Sequence, residues 1–362
     1  MARKPKGQLR RGWTTGACAT AAAKAAYSAL LTGHFPDPIQ ISLPKGETPA
    51  FALAREGING DTAHAAVVKD AGDDPDVTHG ALIQVNVSAN KEGNGIEFRA
   101  GNGVGTITRE GLPLPVGEPA INPAPRQMIS NAISEVAAAH GSDGNVIVTI
   151  SVADGAALAQ KTWNPRLGIV GGISILGTTG VVVPYSCSAW IESIHRGIDV
   201  ARAAGEPTVA GCTGKTSEEK TQAMLGLPDH AMIDMGDFAG GMLKYLRAHP
   251  VPEIVIGGGF AKLCKMAQGD LDLHSGRSQV DRSWLAGIAG RLGADDATRA
   301  AIENANTAAE ALSLAEKSDT PLADEIARRA RDIAKDTIGD NGSTIRVMIF
   351  DRQGTVAGRS DG

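Results

Sequence analysis

The stretch LGIVGGISILGTTGVVVP (167–184) opens the half of the sequence that decides the fold. It has the pattern of an apolar strand, a glycine-rich turn and a second short apolar run. From there onward apolar strands alternate with helices, and this alternation predicts an α/β fold with a Rossmann-like, doubly wound parallel sheet. The predicted elements are strand 167–175, helix 188–204, strand 207–211, helix 216–226, strand 231–235, helix 238–248, strand 253–257 and helix 259–268.

Each of the four predicted strands runs into a glycine-containing loop. Because the carboxyl ends of parallel strands meet at one edge of a sheet, these loops should lie together and form a ligand site there. The alternative is a set of tight turns in a close-packed core, since glycine serves that purpose equally well. The four loops are 171–172, 211–214, 235–237 and 257–259.

The first part of the chain lacks this alternation and has the pattern of a mixed α+β domain. A helix is expected from Thr14 or Thr15 to Gly33, and a strand is expected over 146–152. The tail is expected to hold helices near 281–292, 296–316 and 321–337 and a terminal hairpin around 351–354. The predicted domains are 1–155 on the substrate side, 156–280 as the Rossmann-like cofactor side, and 281–362 as a helical tail and hairpin that pack on the α/β domain.

Composition excludes several classes of protein. The 362 residues are 42% hydrophobic and 21% charged, which is an ordinary globular balance. The formal net charge of −5 gives no attraction to nucleic acid or to an anionic membrane. The four cysteines form no C-x-x-C pair, so neither a protein metal site nor a disulfide framework is expected. No apolar run approaches the length of a membrane span, and a cytoplasmic protein is the expectation.

The segment GCTGKTS (211–217) resembles the end of a phosphate-binding loop. The full pattern needs a glycine five residues before Gly214, and Val209 stands there instead. Lys215 at a helix start remains a candidate for binding an anionic ligand, with a solvated lysine as the alternative. A nucleotide-dependent phosphotransferase therefore stays open as a second function.

The segment KDAGDDPDVTH (69–79) concentrates four aspartates, a lysine and a histidine after a strand. Clustered carboxylates suit a hard cation or, by raising one pKa, proton transfer. The spacing is not that of an EF-hand, and Asp, Gly and Pro also dominate ordinary turns. Cation binding, proton chemistry and simple turn capping all remain open from composition.

Taken together, these segments closely resemble the CbiD family of cobalamin biosynthesis. Trp13 stands where the family usually carries phenylalanine, and this change keeps an aromatic side chain. Nucleotide-binding Rossmann units often carry an acidic residue after the second strand, whereas this sequence has 211–213 there, and Asp234 or Asp237 is the alternative one strand later. The matching segments are WTTGAC (13–18), KDAGDDPDVT (69–78), GNGVGTIT (101–108), PVGEPAINP (115–123), GGISILGTTG (171–180) and HSGRSQVD (274–281).

The resemblance implies methylation of C1 of cobalt-precorrin-5B by S-adenosylmethionine, giving cobalt-precorrin-6A and S-adenosylhomocysteine in the anaerobic route to cobalamin. The cobalt would arrive with the corrinoid substrate. A non-catalytic corrinoid-binding protein is a further alternative, and a homo-oligomer is an open assembly state.

The site residues expected under this resemblance fall into three groups. The catalytic candidates are Asp70, Asp73, Asp74 and His79. The cofactor-binding candidates are Gly171, Gly172, Gly177, Thr178, Thr179, Gly211 and Asp237. The substrate-binding candidates, chosen for the carboxylates of the corrinoid, are Thr14, Thr15, Gly16, Lys69, Arg126 and Lys215.

Overall fold

The computed structural model describes residues 7–93 and 95–361. Two compact units divide between Cys187 and Ser188, downstream of the division at 155 that the sequence suggested. The displacement arises because segment 156–187 pairs with strands of the first unit. No helix within the described residues combines the length and apolarity that a membrane crossing needs.

The first unit is mixed α+β, as the sequence predicted. Its helices are α1 (Thr15–Thr32), α2 (Pro123–His140) and α3 (Gly155–Ala159). Its strands are β1 (Gly12–Trp13), β2 (Ile39–Gln40), β3 (Ala50–Phe51), β4 (Arg55–Asn59), β5 (Thr62–Val68), β6 (Leu82–Ala89), β7 (Ile96–Ala100), β8 (Gly103–Val104), β9 (Thr106–Ile107), β10 (Val146–Val152), β11 (Ile169–Val170), β12 (Gly172–Ile173) and β13 (Val181–Val182).

The core of the first unit forms where α1 packs against α2 and against β5 and β6 of the main sheet. That sheet has the order β4-β5-β6-β10-β7. Helix α1 is almost wholly buried because its alanines let it approach both layers closely. The Thr14 side chain caps its first turn, and Gly33 ends it at φ 77°, as the sequence indicated.

The predicted strand 167–175 is wrong as the first strand of a parallel series. Two short strands replace it, β11 pairing antiparallel with β9 and β12 pairing parallel with β8. The pairing of β12 needs glycine at position 172, since a Cβ there would lie 2.1 Å from the carbonyl oxygen of Gly103. This glycine therefore permits close contact between two backbones of the same unit.

The second unit carries the predicted alternation of strands and helices, close to the predicted positions. Its helices are α4 (Cys187–Ala203, the first residue of which ends the first unit), α5 (Lys215–Leu225), α6 (Ala239–Ala248), α7 (Phe260–Ala267), α8 (Arg282–Arg291), α9 (Asp296–Glu303), α10 (Ala308–Lys317) and α11 (Leu322–Ile338). Its strands are β14 (Thr208–Cys212), β15 (Met232–Asp234), β16 (Glu253–Gly259), β17 (Thr344–Phe350) and β18 (Val356–Arg359).

The sheet of the second unit has the order β15-β14-β16-β17-β18, with four parallel strands and an antiparallel edge strand, β18. Numbered along the chain, this is the order 2-1-3-4-5, one of the two common orders of doubly wound sheets. One face, with Val209 and Ile256, buries against α4, α6, α7 and α11. The other face, with Cys212 and Val255, lies toward the end of α5.

The tail contributes more to this sheet than the sequence indicated. The predicted hairpin is present, and its first strand, β17, also pairs in parallel with β16 inside the sheet. The predicted helix over 296–316 is interrupted, because α9 ends at Asn304 and a side-chain cap from Thr307 starts α10. Residues 281–362 are therefore part of the α/β unit and extend its sheet.

The close approach at Gly172 gives a test of its structural role. We expect Gly172→Ala to lower the free energy of unfolding by about 2 kcal/mol or more, because the new methyl group overlaps backbone atoms that cannot move aside. The matched control is Gly287→Ala in α8, where the nearest atom would be Nη1 of Arg291 at 3.9 Å. Chemical denaturation should show the control unchanged or stabilised by up to about 1 kcal/mol. Equal stability of both variants would contradict the packing role of Gly172.

Candidate functional site

A cleft of about 750 Å³ opens at the carboxyl edge of the sheet in the second unit. It lies between the ends of β14 and β16, where the chain order of the strands reverses and where doubly wound folds bind ligands. Helix α10 and the turn between β17 and β18 form its other walls. The lining consists of residues 213–217, 259–262, 307–310, 312, 313, 316 and 350–353.

Two lysines, Lys215 and Lys262, line the cleft and carry positive charge. The Lys262 Nζ donates to the carbonyl of Thr213 at 2.6 Å and pairs with the Asp237 carboxylate at 3.1 Å. These two contacts hold the Lys262 ammonium between the segment that follows β14 and the segment that follows β15. The Lys215 side chain is 87% exposed and lies 3.7 Å from Glu219, so its charge is accessible to a ligand. The buried Lys265 donates to the carbonyl of Leu273, and burial lowers its pKa.

Three of the four predicted loops lie at this edge, and the fourth does not. Segment 211–214 spans the end of β14, segment 235–237 follows β15, and segment 257–259 forms the end of β16, whereas Gly171 and Gly172 belong to the first unit. Gly211 is inside the sheet, where a Cβ would lie 2.2 Å from the sulfur of Met242. Of the predicted cofactor residues, Asp237 therefore has the nearest link to the cleft, through Lys262.

The predicted adenosyl loop of the first unit is largely occupied by contacts within that unit. A Cβ on Gly177 would lie 2.3 Å from the Thr14 side chain. The Thr179 hydroxyl accepts from the Val181 N–H at 3.3 Å, while Thr178 and Gly171 are exposed. Packing thus accounts for Gly172 and Gly177 without any ligand.

The aspartate side chains of segment 69–79 form hydrogen bonds and an ion pair with the chain before α1 and with the chain after β13. Asp70 forms a two-point ion pair with the Arg10 guanidinium, one bond of which is 2.9 Å. Asp73 accepts the Arg10 backbone N–H at 2.6 Å, and Asp74 accepts the Tyr185 N–H at 2.7 Å. Arg10, followed by the Gly72 N–H, lowers the pKa of Asp70 to about 2. Asp70 is therefore a weak base at neutral pH, and the turn-capping interpretation accounts for these contacts.

Lys69 and His79 complete the same segment. Lys69 is 1% exposed, and its ammonium lies 2.6 Å from the Asp76 carboxylate, which also accepts from Thr78. The His79 Nδ1 accepts the Ala71 N–H at 3.1 Å and lies 3.8 Å from the Asp70 carboxylate. Lys69 is thus buried in an ion pair within the protein.

Most of the other predicted substrate residues also have internal partners. The first turn of α1 is closed by its own chain, since Gly16 donates to the carbonyl of Leu176 and the Thr15 hydroxyl accepts the Leu176 N–H. Arg126 donates to the carbonyl of Ile121 and to the Glu118 carboxylate, both at 2.8 Å. Among the six predicted substrate residues, Lys215 lines the cleft of the second unit.

Several residues that line the cleft were missed in the sequence. Lys262 begins an ordinary helix, and its position at the ends of two strands depends on the sheet order. Arg352 and Glu316 lie in the tail, which the sequence predicted only to pack on the α/β domain. The glycine run at 257–259 was a detectable signal, because it follows a strand in the parallel series.

No group of three or more His, Cys, Asp or Glu side chains that could hold a metal ion occurs among residues 7–93 and 95–361. Burial raises the pKa of the Cys18 and Cys212 thiols to about 12, which disfavours the nucleophilic thiolate. The arrangement is that of an α/β protein with a cleft at the switch point of its parallel sheet.

The comparisons with known proteins identify the family. A model described as CbiD matches residues 2–184, and one described as CbiD, C-terminal domain, matches residues 272–361. The chain belongs to the CbiD family. The first match ends at 184, close to the division between Cys187 and Ser188.

Curated relatives match almost the whole chain. The cobalt-precorrin-5B C(1)-methyltransferase of Brucella anthropi is 57% identical over 354 residues, covering 98% of this chain and 96% of that protein. The protein of the same name from Paramagnetospirillum magneticum is 59% identical over 350 residues, covering 97% and 98%. A crystal structure of cobalamin biosynthesis protein (cbiD) from Archaeoglobus fulgidus is 28% identical, with a TM-score of 0.41, and covers 75% of this chain and 84% of that one.

The Arg10–Asp70 ion pair predicts a pH dependence of stability. The pKa of Asp70 is lowered in the folded state, so its contribution is present above its ordinary pKa of 3.8 and is lost as the pH falls toward about 2. We expect wild type to lose more unfolding free energy than Asp70→Asn between about pH 5 and about pH 3, as measured by denaturant titration. Identical losses in the two proteins would show that the ion pair adds nothing to stability.

Proposed function

We propose that this chain methylates C1 of cobalt-precorrin-5B to give cobalt-precorrin-6A in anaerobic cobalamin biosynthesis. The observation that carries the proposal is the 57% and 59% identity to cobalt-precorrin-5B C(1)-methyltransferases over 98% and 97% of the chain. The aligned residues extend over both units, so the similarity supports the whole methyl-transfer reaction and not only one of its binding steps. A cytoplasmic location follows from this biosynthetic role.

The methyl donor of the proposed reaction is S-adenosylmethionine, which supplies an electrophilic methyl group on a sulfonium sulfur. As the new carbon–carbon bond forms at C1, the bond between sulfur and methyl breaks, and its electron pair stays on sulfur in S-adenosylhomocysteine. The task of the protein is to hold the donor and the ring carbon in line and to exclude water. The cobalt is carried by the substrate and needs no ligand from the protein.

The second unit fits an adenosyl donor. Its parallel sheet presents a cleft at the switch point, the position where Rossmann-like and related folds hold nucleotide cofactors. An acidic residue after the second strand often binds the ribose in such folds. Asp234 ends β15, the second strand of this series, and Asp237 follows it in the loop; neither lines the cleft, and Asp237 borders it through its ion pair with Lys262. The donor set of the cleft, with backbone N–H groups and lysines, suits this cofactor chemically.

We propose the first unit as the corrinoid side, as the sequence predicted. Its support is the convergence of three motif segments, in which Trp13 donates to the carbonyl of Asp70 at 2.7 Å and Thr14 donates to that of Gly180 at 2.9 Å. The side chains of Arg11, Leu176 and Thr178 are exposed, and they stand on backbone segments that these hydrogen bonds hold together. An arginine can pair with a corrinoid carboxylate, while a leucine can contact the macrocycle.

The proposed reaction is tested directly with the purified full chain. We expect methyl transfer from labelled S-adenosylmethionine to cobalt-precorrin-5B, with S-adenosylhomocysteine formed in equal amount. A non-catalytic corrinoid carrier would bind the pigment without producing S-adenosylhomocysteine. A phosphotransferase would instead consume ATP in the presence of Mg²⁺. Either of these outcomes, without methyl transfer, would overturn the proposal.

We propose that Asp73 keeps the catalytic role that the sequence predicted, in addition to its contact with the Arg10 N–H, and Asp73→Asn tests that role. We expect methyl transfer to fall at least about tenfold, the lower end of acid–base contributions. The asparagine oxygen can still accept the Arg10 N–H, so the fold should be retained. Single-turnover rates and unfolding free energies should be measured together. Wild-type transfer rates would leave Asp73 with its turn-capping contact alone.

A further inference from the structure

We propose that the switch-point cleft of the second unit binds S-adenosylmethionine, with the methionine carboxylate at the first turns of α5 and α7. This assignment rests on the proposed function and locates its donor site. It moves that site away from the loop at 171–180, which the sequence favoured. The argument comes from two glycines, two helix N-termini and the charges that line the cleft.

Gly214 and Gly259 lie at the ends of β14 and β16 and line the cleft. A Cβ at either position would meet no described atom within 4 Å. Their backbones have φ values of 170° and −73°, which any residue can adopt. Neither packing nor backbone conformation therefore requires glycine at these positions. A ligand that approaches the backbone does require it, because a side chain would occupy the same space.

The neighbouring glycines provide a contrast. A Cβ on Gly257 would lie 2.5 Å from the Thr221 hydroxyl, and one on Gly258 would lie 2.9 Å from the Thr213 hydroxyl. Packing within the protein thus accounts for both. Of the three glycines that end β16, the one that lines the cleft is the one whose Cβ would meet only open space.

Helices α5 and α7 both begin at the cleft, and among the described residues neither has a side-chain cap. The first-turn N–H groups of an uncapped helix are available to an anion, which the helix dipole also favours. Helix α10, in another wall, is capped by the Thr307 side chain. Lys262 bonds the carbonyl of Thr213 just before α5, but its charge is already paired with Asp237. The uncapped N–H groups, with the exposed charge of Lys215 beside them, together form a carboxylate subsite.

The charges of the cleft distinguish its ligand from a polyphosphate. Lys215, Lys262 and Arg352 are opposed by Glu310, Glu316 and Asp351 in the same lining. A nucleoside triphosphate is strongly anionic and would be repelled by three carboxylates. S-adenosylmethionine carries a carboxylate, an ammonium and a sulfonium, so it matches a lining of both signs.

The size and the apolar surface of the cleft agree with this ligand. Its volume of about 750 Å³ lies within the range of about 300–1,000 Å³ that is usual for small-molecule sites. Phe260, Leu312 and Phe350 line the cleft from three different elements, but they are only 4%, 6% and 2% exposed because they belong to the core. They give the cleft a rigid apolar backing, above which an adenine ring would lie while the methionine end reaches the helix N-termini.

The test is isothermal titration of the full chain with S-adenosylhomocysteine, together with thermal unfolding of each variant. We expect Gly214→Ala and Gly259→Ala to bind at least about fivefold more weakly, since the lowest usual cost of an added methyl group in a filled site, about 1 kcal/mol, corresponds to that factor. Their melting temperatures without ligand should match wild type. The control, Gly287→Ala in α8, should bind as wild type does.

A further variant tests the same site in case Gly214→Ala and Gly259→Ala are unstable. Lys215→Ala removes an 87% exposed side chain, so the fold is retained, and we expect roughly threefold weaker binding from the loss of an exposed charge. Binding by wild type with equal affinity in all four variants would overturn the cleft assignment and leave the proposed reaction standing. Failure of wild type to bind either S-adenosylmethionine or S-adenosylhomocysteine would overturn the proposed reaction as well. Tighter binding of ATP than of S-adenosylhomocysteine would overturn the assignment in favour of a nucleotide site.

Discussion

The cleft depends on a reversal of winding between two parallel strands, β14 and β16. The helices that follow these strands leave on opposite faces of the sheet, so the chain cannot cover the space between the two carboxyl ends. The floor of the proposed donor site, formed by residues at the ends of β14 and β16, results from this reversal, whereas the tail supplies its other walls. The reversal brings two helix N-termini together, places Gly214 beside Gly259, and lets Lys262 bond the end of the neighbouring strand. The residues at the ends of β14 and β16 are positioned by the direction in which the backbone leaves the sheet.

In the first unit, the main constraint is close contact between backbones at glycine. A Cβ on Gly172 would meet the backbone of Gly103, and one on Gly12 would lie 2.0 Å from the backbone of Ala71 in the aspartate turn. Gly177 instead packs its backbone against the side chain of Thr14. These contacts connect segments that are distant in the sequence. They also explain how a glycine-rich motif can be required by the fold without binding a ligand there.

The secondary structure was predictable where the signal was local. Helix α1 has a threonine cap and a terminal glycine, and β10 alternates buried and partly buried residues along its length. The stretch at 167–184 was assigned incorrectly because its partner strands, β8 and β9, are short and lie far away in the sequence. Glycine permits the approach of a ligand or of another backbone, and the sequence does not distinguish the two. For the site, Lys215 was predictable from its place after a strand, whereas Arg352 and Glu316 reach the cleft only through tertiary packing of the tail.

The most direct measurement of this account is a crystal structure of the full chain with S-adenosylhomocysteine. The account predicts ligand density between the ends of β14 and β16, with the ligand carboxylate near the first turns of α5 and α7. Density at the 171–180 loop of the first unit, with an empty cleft between Gly214 and Gly259, would contradict it.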